Sequence, residues 1–233
     1  VKAPINVPIK STKVFYETFL SAITPKTKAI FISHITSSTG LILPIDEIIK
    51  YAKKSGILTI IDGAHAPGHI PLDIEKLDPD IYTGTCHKWL LCPKGTSFLY
   101  VKKNIQHLIE PLIVSWGYNN SDYLRIPFQN NHLWQGTQDI SKFLTIPKAI
   151  KFREDYNWVA VSEKNKKMIL DFRNEIQNKF EIPPLFESNP ETWLGQMFSF
   201  PITDKINESE KIKSVLINKY KIEIPVFEWS GQL

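Results

Sequence analysis

Residues 44–62 read PIDEIIKYAKKSGILTIID, and this stretch decides the fold. Ile45, Ile48, Ile49 and Ala52 recur at helical spacing, so residues 44–55 are predicted to form a helix with one apolar face. Pro44 suits the first turn. Asp46 and Glu47 favour its positive end, and Lys53 and Lys54 its negative end. Gly56 is a natural stop after the last turn. The run 58–61 (LTII) is short, apolar and rich in β-branched residues, so it reads as a buried strand ending at Asp62. Upstream, 29–33 (AIFIS) reads the same way. Strand, helix and strand within about thirty residues make a βαβ unit, and hence a parallel sheet.

Working outward, 81–82 and 97–101 (SFLYV) are predicted to be further strands. The character changes after about residue 145. Residues 146–156 and 158–179 are predicted helices. A strand is predicted at 196–200, a helix at 208–219 and a strand at 222–226, with the Pro-containing stretch 181–190 as a loop. The expected class is therefore α/β, with a mainly parallel sheet and flanking helices, followed by a smaller α+β part. The expected boundary divides residues 1–145 from 146–233.

The 233 residues allow one sizeable core, or one domain plus part of another. A 42% hydrophobic and 22% charged composition is that of an ordinary globular protein. The net charge of +4 comes from lysines spread over helix faces, such as Lys50, Lys53 and Lys54. Arginine is scarce and no nucleic-acid-binding motif occurs, so no nucleic-acid partner is expected. No apolar run reaches membrane-spanning length, and the N-terminus lacks the order of a signal peptide. Cys86 and Cys92 form no CxxC pair, which speaks against a zinc site or a disulfide framework and fits a cytoplasmic location. No metal is expected: His65 and His69 are four apart, but Pro67 and Gly68 between them oppose a helix.

Three places carry chemistry. Asp62 ends a strand before Gly63-Ala64, where a ligand can approach the backbone, and ligands of open α/β sheets sit beyond such strand ends. Lys88 follows a strand beside His87, and a lysine among apolar or cationic neighbours becomes nucleophilic. Gly136-Thr137 offers a backbone amide and a hydroxyl suited to phosphate. Each has a plainer reading: a helix cap or surface carboxylate, a solvated loop lysine and an ordinary loop dipeptide.

Taken in order, DGAHAPG (62–68), TGTCHKW (83–89), PKGTSFLYV (93–101) and WQGTQD (134–139) resemble fold-type I pyridoxal-phosphate (PLP) enzymes of the class V aminotransferase family. That family includes cysteine desulfurases, selenocysteine lyases, kynureninase-like enzymes and isopenicillin N epimerases. SHITSSTG (33–40), VSWGY (114–118), FREDYNW (152–158) and GQMFSF (195–200) resemble the isopenicillin N epimerase-like branch. The resemblance covers nearly the whole chain. It implies that residues 1–145 are the later part of a PLP-binding large domain and 146–233 part of a small one. It implies that Lys88 holds pyridoxal 5'-phosphate and moves the substrate Cα proton, and that Asp62 pairs with the pyridine nitrogen. It places His65 as a donor to the phenolic oxygen and Thr85 and His87 at phosphate positions. Gly136 and Thr137 match the segment that reaches the phosphate in a neighbouring subunit, which implies a homodimer with shared sites. Ser37 stands where desulfurases carry Asn near the cofactor.

The implied function is an enzyme acting on an amino acid through a Cα carbanion, epimerase-like. Carbon–sulfur lyase or cysteine desulfurase-like β-elimination, aminotransfer, and a non-catalytic member of the family are the alternatives. Residues 225–233 hold no cysteine where desulfurases place theirs, and Cys92 is too near Lys88 in sequence to serve. Val1 is not an initiating Met, and both ends resemble interior stretches of the family. The chain is therefore expected to be an excerpt that is weak or inactive by itself.

Overall fold

The computed structural model describes residues 2–3, 5–120, 126–202 and 208–229. The end of the cysteine-free stretch, 230–233, lies outside them. The chain divides into two compact units: Val1–Phe19, Thr36–Ile42 and Glu163–Leu233 form one, and Leu20–Ile35 with Leu43–Ser162 form the other.

The second unit is built on a four-stranded sheet of β1 (Ala29–Ser33), β2 (Leu58–Gly63), β3 (Ile81–Thr85) and β4 (Ser97–Val101), in that spatial order. β1, β2 and β3 run parallel, and β4 lies antiparallel against β3. Between β1 and β2 runs a helix, Ile45–Lys54, whose Ile45, Ile48, Ile49 and Ala52 are all buried, as the apolar spacing predicts. The helix ends as Gly56 predicts. Gly56 has φ +64°. The Gly56 amide donates to Lys53 O at 3.4 Å and the Ile57 amide to Ala52 O at 2.9 Å. These two bonds are those of a Schellman stop.

Register between β2 and β3 is pinned at their entry. The Thr59 amide and hydroxyl both donate to Asp80 Oδ2, at 2.8 and 2.9 Å, and the Asp80 amide donates back to Thr59 Oγ1 at 2.9 Å. Ile60 then pairs with Ile81 and Gly63 with Gly84. A one-residue slip would turn every side chain to the opposite face, so this closed set of bonds decides where Asp62 and Thr85 point. The strand is longer than the expected 81–82, continuing through Thr83–Thr85, where Gly84 leaves room for the Phe98 ring of β4 and for Pro67.

Gly63 is fixed by packing. A Cβ there would lie 2.1 Å from the ring of Tyr82, which is fully buried. Gly63→Ala is expected to destabilise the protein by about 1–3 kcal/mol through overpacking. Urea midpoints check this: the loss should shrink in a Tyr82→Leu background, and equal losses in both backgrounds would locate the problem elsewhere.

In the first unit the helices are Thr12–Ser21, Pro190–Trp193 and Ser209–Val215, together with the later part of Trp158–Phe180. Its core is aromatic. Phe15 meets Trp193 edge-on at 6.0 Å, Phe186 stacks on Trp193 at 6.2 Å, and the Arg173 guanidinium lies 4.7 Å over Phe186. The predicted strands at 196–200 and 222–226 do not form: both stretches are irregular. A strand needs a neighbour to accept its backbone groups. Among the described residues of this unit only isolated bridges occur, Ile9 with Phe186 and Leu41 with Leu194. The predicted helix at 208–219 is an α-helix to Val215 that widens into a π-turn over Leu216–Tyr220.

Candidate active site

β2 and β3 are adjacent and parallel, so the loops that leave them emerge side by side. Asp62 stands near the end of β2 and His65 in the loop that follows, and the second loop carries His87, Lys88 and Trp89. Asp62 is half-buried and its Oδ1 accepts from the Ala64 amide at 2.9 Å, which turns the chain back over the strand end. The Ala66 amide closes that turn on Gly63 O at 2.9 Å. His65 is thereby set opposite the second loop. Lys88 Nζ lies 3.0 Å from His65 Nε2, and the Trp89 indole donates from Nε1 to His65 Nδ1 at 3.3 Å.

Burial pushes the His65 imidazole below its ordinary pKa. The Lys88 charge adds to this, and Asp62 opposes it. Both ionic groups thus act on one ring, and carboxylate, imidazole and amine converge at the carboxyl end of the sheet. Lys88 is exposed, with its amine open to a ligand. Behind the cluster His34 Nδ1 bonds the Tyr82 hydroxyl at 2.9 Å, and burial holds this histidine at a pKa of about 4. The same burial raises the Tyr82 phenol above its ordinary range.

The two loops are tied together. Gly68 (φ +80°) packs so closely that a Cβ would sit 2.5 Å from Trp89 O. Arg153 donates from Nη1 to Trp89 O at 2.8 Å and from Nη2 to Gly68 O at 2.9 Å, bridging both loops with one planar fork. Sequence reasoning quoted Trp89 and Arg153 inside motifs but gave neither a role. Their partners are 24, 64 and 85 residues away in sequence.

The remaining candidates are placed as follows. The Thr85 hydroxyl donates to Ala64 O at 2.6 Å, and His87 Nδ1 faces Thr96 O at 2.9 Å, which requires the ring to donate there and leaves Nε2 outward. Gly136 (φ +123°) and Thr137 lie between the helices Pro127–Leu133 and Ser141–Leu144 and make none of the bonds that hold the Asp62–His65–Lys88 cluster. Ser37 is exposed and belongs to the first unit, in a turn closed by Thr36 Oγ1 and Thr39 Oγ1 at 2.6 Å. Among the described residues no group of three or more His, Cys, Asp or Glu is placed to hold a metal, and no helix is long and apolar enough to cross a membrane.

The aminotransferase class-V family pattern matches residues 6–226. The chain belongs to the aminotransferase class-V family. Isopenicillin N epimerase from Amycolatopsis lactamdurans is 31% identical over 230 residues, covering 95% of this chain and 57% of that protein. Hercynylcysteine sulfoxide lyase from Schizosaccharomyces pombe is 41% identical over 128 residues, 53% of this chain and 33% of that protein. The solved structure of an apo cysteine desulfurase from Thermococcus onnurineus superposes with a TM-score of 0.70 at 19% identity, over 90% of this chain and 51% of that one. This likeness carries the fold, which is that of fold-type I PLP enzymes. The class-V chain spans a little over half the length of the epimerase it matches.

Pyridoxal 5'-phosphate is the cofactor of the class-V family. The donor set suits that group. An exposed primary amine can take up an aldehyde, a carboxylate at a strand end can pair with a protonated ring nitrogen, and a neutral imidazole between them can donate to an anionic oxygen.

Proposed function

We propose that this chain carries the lysine-bearing part of a PLP site, in an enzyme that acts on an amino acid at Cα in the manner of isopenicillin N epimerase. The observation that carries this reading is the 3.0 Å approach of Lys88 Nζ to His65 Nε2, beside the strand end that bears Asp62. When bound, the cofactor supplies an electron sink conjugated with the substrate Cα. Lys88 holds the cofactor through its amine and moves the proton at Cα. Asp62 keeps the ring nitrogen protonated, and His65 donates from Nε2 to the phenolic oxygen. His87 serves the phosphate from its outward Nε2 when that nitrogen is protonated, and Thr85 does so by giving up its bond to Ala64 O.

Gly136 and Thr137 reach the phosphate of a second copy, so the working unit is a homodimer. Leu133 and Leu144 flank that segment in sequence and are exposed, which gives a second copy apolar side chains to cover. A second reading is β-elimination at a carbon–sulfur bond. It is favoured by the 41% identity to a sulfoxide lyase. Both reactions begin with the same loss of the Cα proton and differ in the substrate's leaving group.

The test is run on this chain and on a longer polypeptide containing it. Each is loaded with PLP in D₂O and given amino acids, sulfur-containing ones first. Epimerisation puts deuterium at Cα and forms the opposite enantiomer, whereas elimination expels the sulfur group as sulfide, thiol or, from a sulfoxide, sulfenate, together with a 2-oxo acid and ammonia. Sedimentation of the same sample should give twice the chain mass. Cofactor bound at Lys88 with no Cα exchange on any amino acid would overturn the enzyme reading in favour of a non-catalytic family member.

A further inference from the structure

The His65 ring is gripped at both nitrogens, and the two grips are chemically unequal. At Nδ1 the Trp89 indole approaches to 3.3 Å; at Nε2 the Lys88 amine approaches to 3.0 Å. An indole N–H can only donate, so its bond requires a lone pair at Nδ1. A neutral imidazole has one proton, which must then lie on Nε2. We propose that Trp89 is a positioning residue that fixes His65 as the Nε2–H tautomer, so that the ring presents an N–H, and not a lone pair, to the space in front of the Lys88 amine. The inference rests on the reading of Lys88 and His65 as parts of a PLP site.

Three features make the indole a built donor. Its backbone carbonyl is held by Arg153 Nη1 at 2.8 Å. Its ring lies against His69 with centroids 4.2 Å apart. Gly68 passes so close that a Cβ there would lie 2.5 Å from the Trp89 carbonyl oxygen, so the Trp89 backbone is seated directly against the first loop. The charged and titratable groups acting on or lying beside His65 are Lys88, Asp62 and His69. Burial and Lys88 outweigh Asp62 and favour the neutral ring, the form in which a tautomer has to be chosen.

The choice has a consequence for chemistry. An Nε2–H can donate to the Lys88 nitrogen only when that nitrogen is unprotonated. An ammonium has no lone pair and competes with the indole for the one lone pair of the neutral ring, and the indole wins that competition. Facing an anionic oxygen of a bound cofactor, the Nε2–H becomes a charge-assisted donor. The opposite tautomer would set two donors against each other at the indole and turn a lone pair toward that oxygen. A purely structural Trp89 would pack on His69 and leave the tautomer to solvent, and this difference is measurable.

The experiment is ¹⁵N NMR on the labelled chain, with His65 identified by the signals lost in His65→Gln. The expected result is an unprotonated Nδ1, a protonated Nε2, and a scalar coupling between Trp89 Nε1 and His65 Nδ1 through the hydrogen bond. In Trp89→Phe, which keeps an aromatic ring on His69, the coupling disappears. The His65 titration midpoint should rise by about half to one pH unit, because the neutral form has lost a hydrogen bond. Trp116→Phe, at an exposed position, should leave that midpoint where it was. A protonated Nδ1 or mixed tautomers in the unaltered chain overturns the proposal without any variant, and so does an unmoved midpoint in a folded Trp89→Phe. Mapping PLP after borohydride reduction separates the two readings: failure to label Lys88 sinks the cofactor assignment, while the tautomer result is decided independently by the spectra.

Discussion

Lys88→Ala is expected to abolish the borohydride-stable attachment of PLP at this site and to reduce Cα proton exchange by about 10²–10⁴-fold from lost proton transfer alone. The amine is exposed in the loop after β3 and bonds to His65, so removing it opens no cavity and strands no buried charge. Stability should therefore change by less than about 0.5 kcal/mol. That separation is what makes the variant informative, because a lost label with an unchanged melting curve isolates chemistry from folding. Lys88→Arg should not rescue, since a guanidinium stays protonated and cannot attack an aldehyde. Peptide mapping by mass spectrometry reads the label. An undiminished label elsewhere, with Cα exchange intact, would remove Lys88 from the role.

The contrast between Lys88 and Arg153 says what a sequence can carry. Residues 44–62 predict their own structure because helix periodicity, the dipole-matched ends, Gly56 and the β-branched run all agree locally, and β1, the helix and β2 form where expected. Asp62 and Lys88 were legible as strand-end groups on the same grounds, and their family motifs sharpened them. Arg153 was not legible. Its guanidinium acts on two carbonyls contributed by loops far upstream, and nothing in FREDYNW specifies that approach. Trp89 failed for a related reason: beside a lysine in the sequence, it reads as a packing aromatic until the Nδ1 of His65 is seen in front of its N–H. The strands expected at 196–200 and 222–226 were read from their local residues, which cannot supply a partner strand.

Acid should unfold this protein through its buried histidines. His34 and His69 are both buried and both held near a pKa of about 4, against 6.5 for the free side chain. For His34 the cause is burial, partly opposed by Asp46. For His69 it is burial, then the neighbouring His65, opposed by a hydrogen bond to the backbone of that residue. The unfolded chain takes up protons on these groups as pH falls through 6.5, while the folded chain does so only near 4. In that window the unfolded state binds more protons, so stability rises with pH, is complete above about 6.5 and is lost progressively down to about 4. Each ring contributes about 3 kcal/mol over the whole window. Two such contributions are comparable with the 5–15 kcal/mol that typically holds a domain folded. Urea unfolding at intervals from pH 7 to pH 4 should show a midpoint that falls steeply, and a double variant, His34→Gln with His69→Gln, should start lower but fall less. Equal slopes for the two proteins would mean that these rings reach water before the fold gives way. The tight contacts that Tyr82 and Trp89 make with them would then be absent in solution.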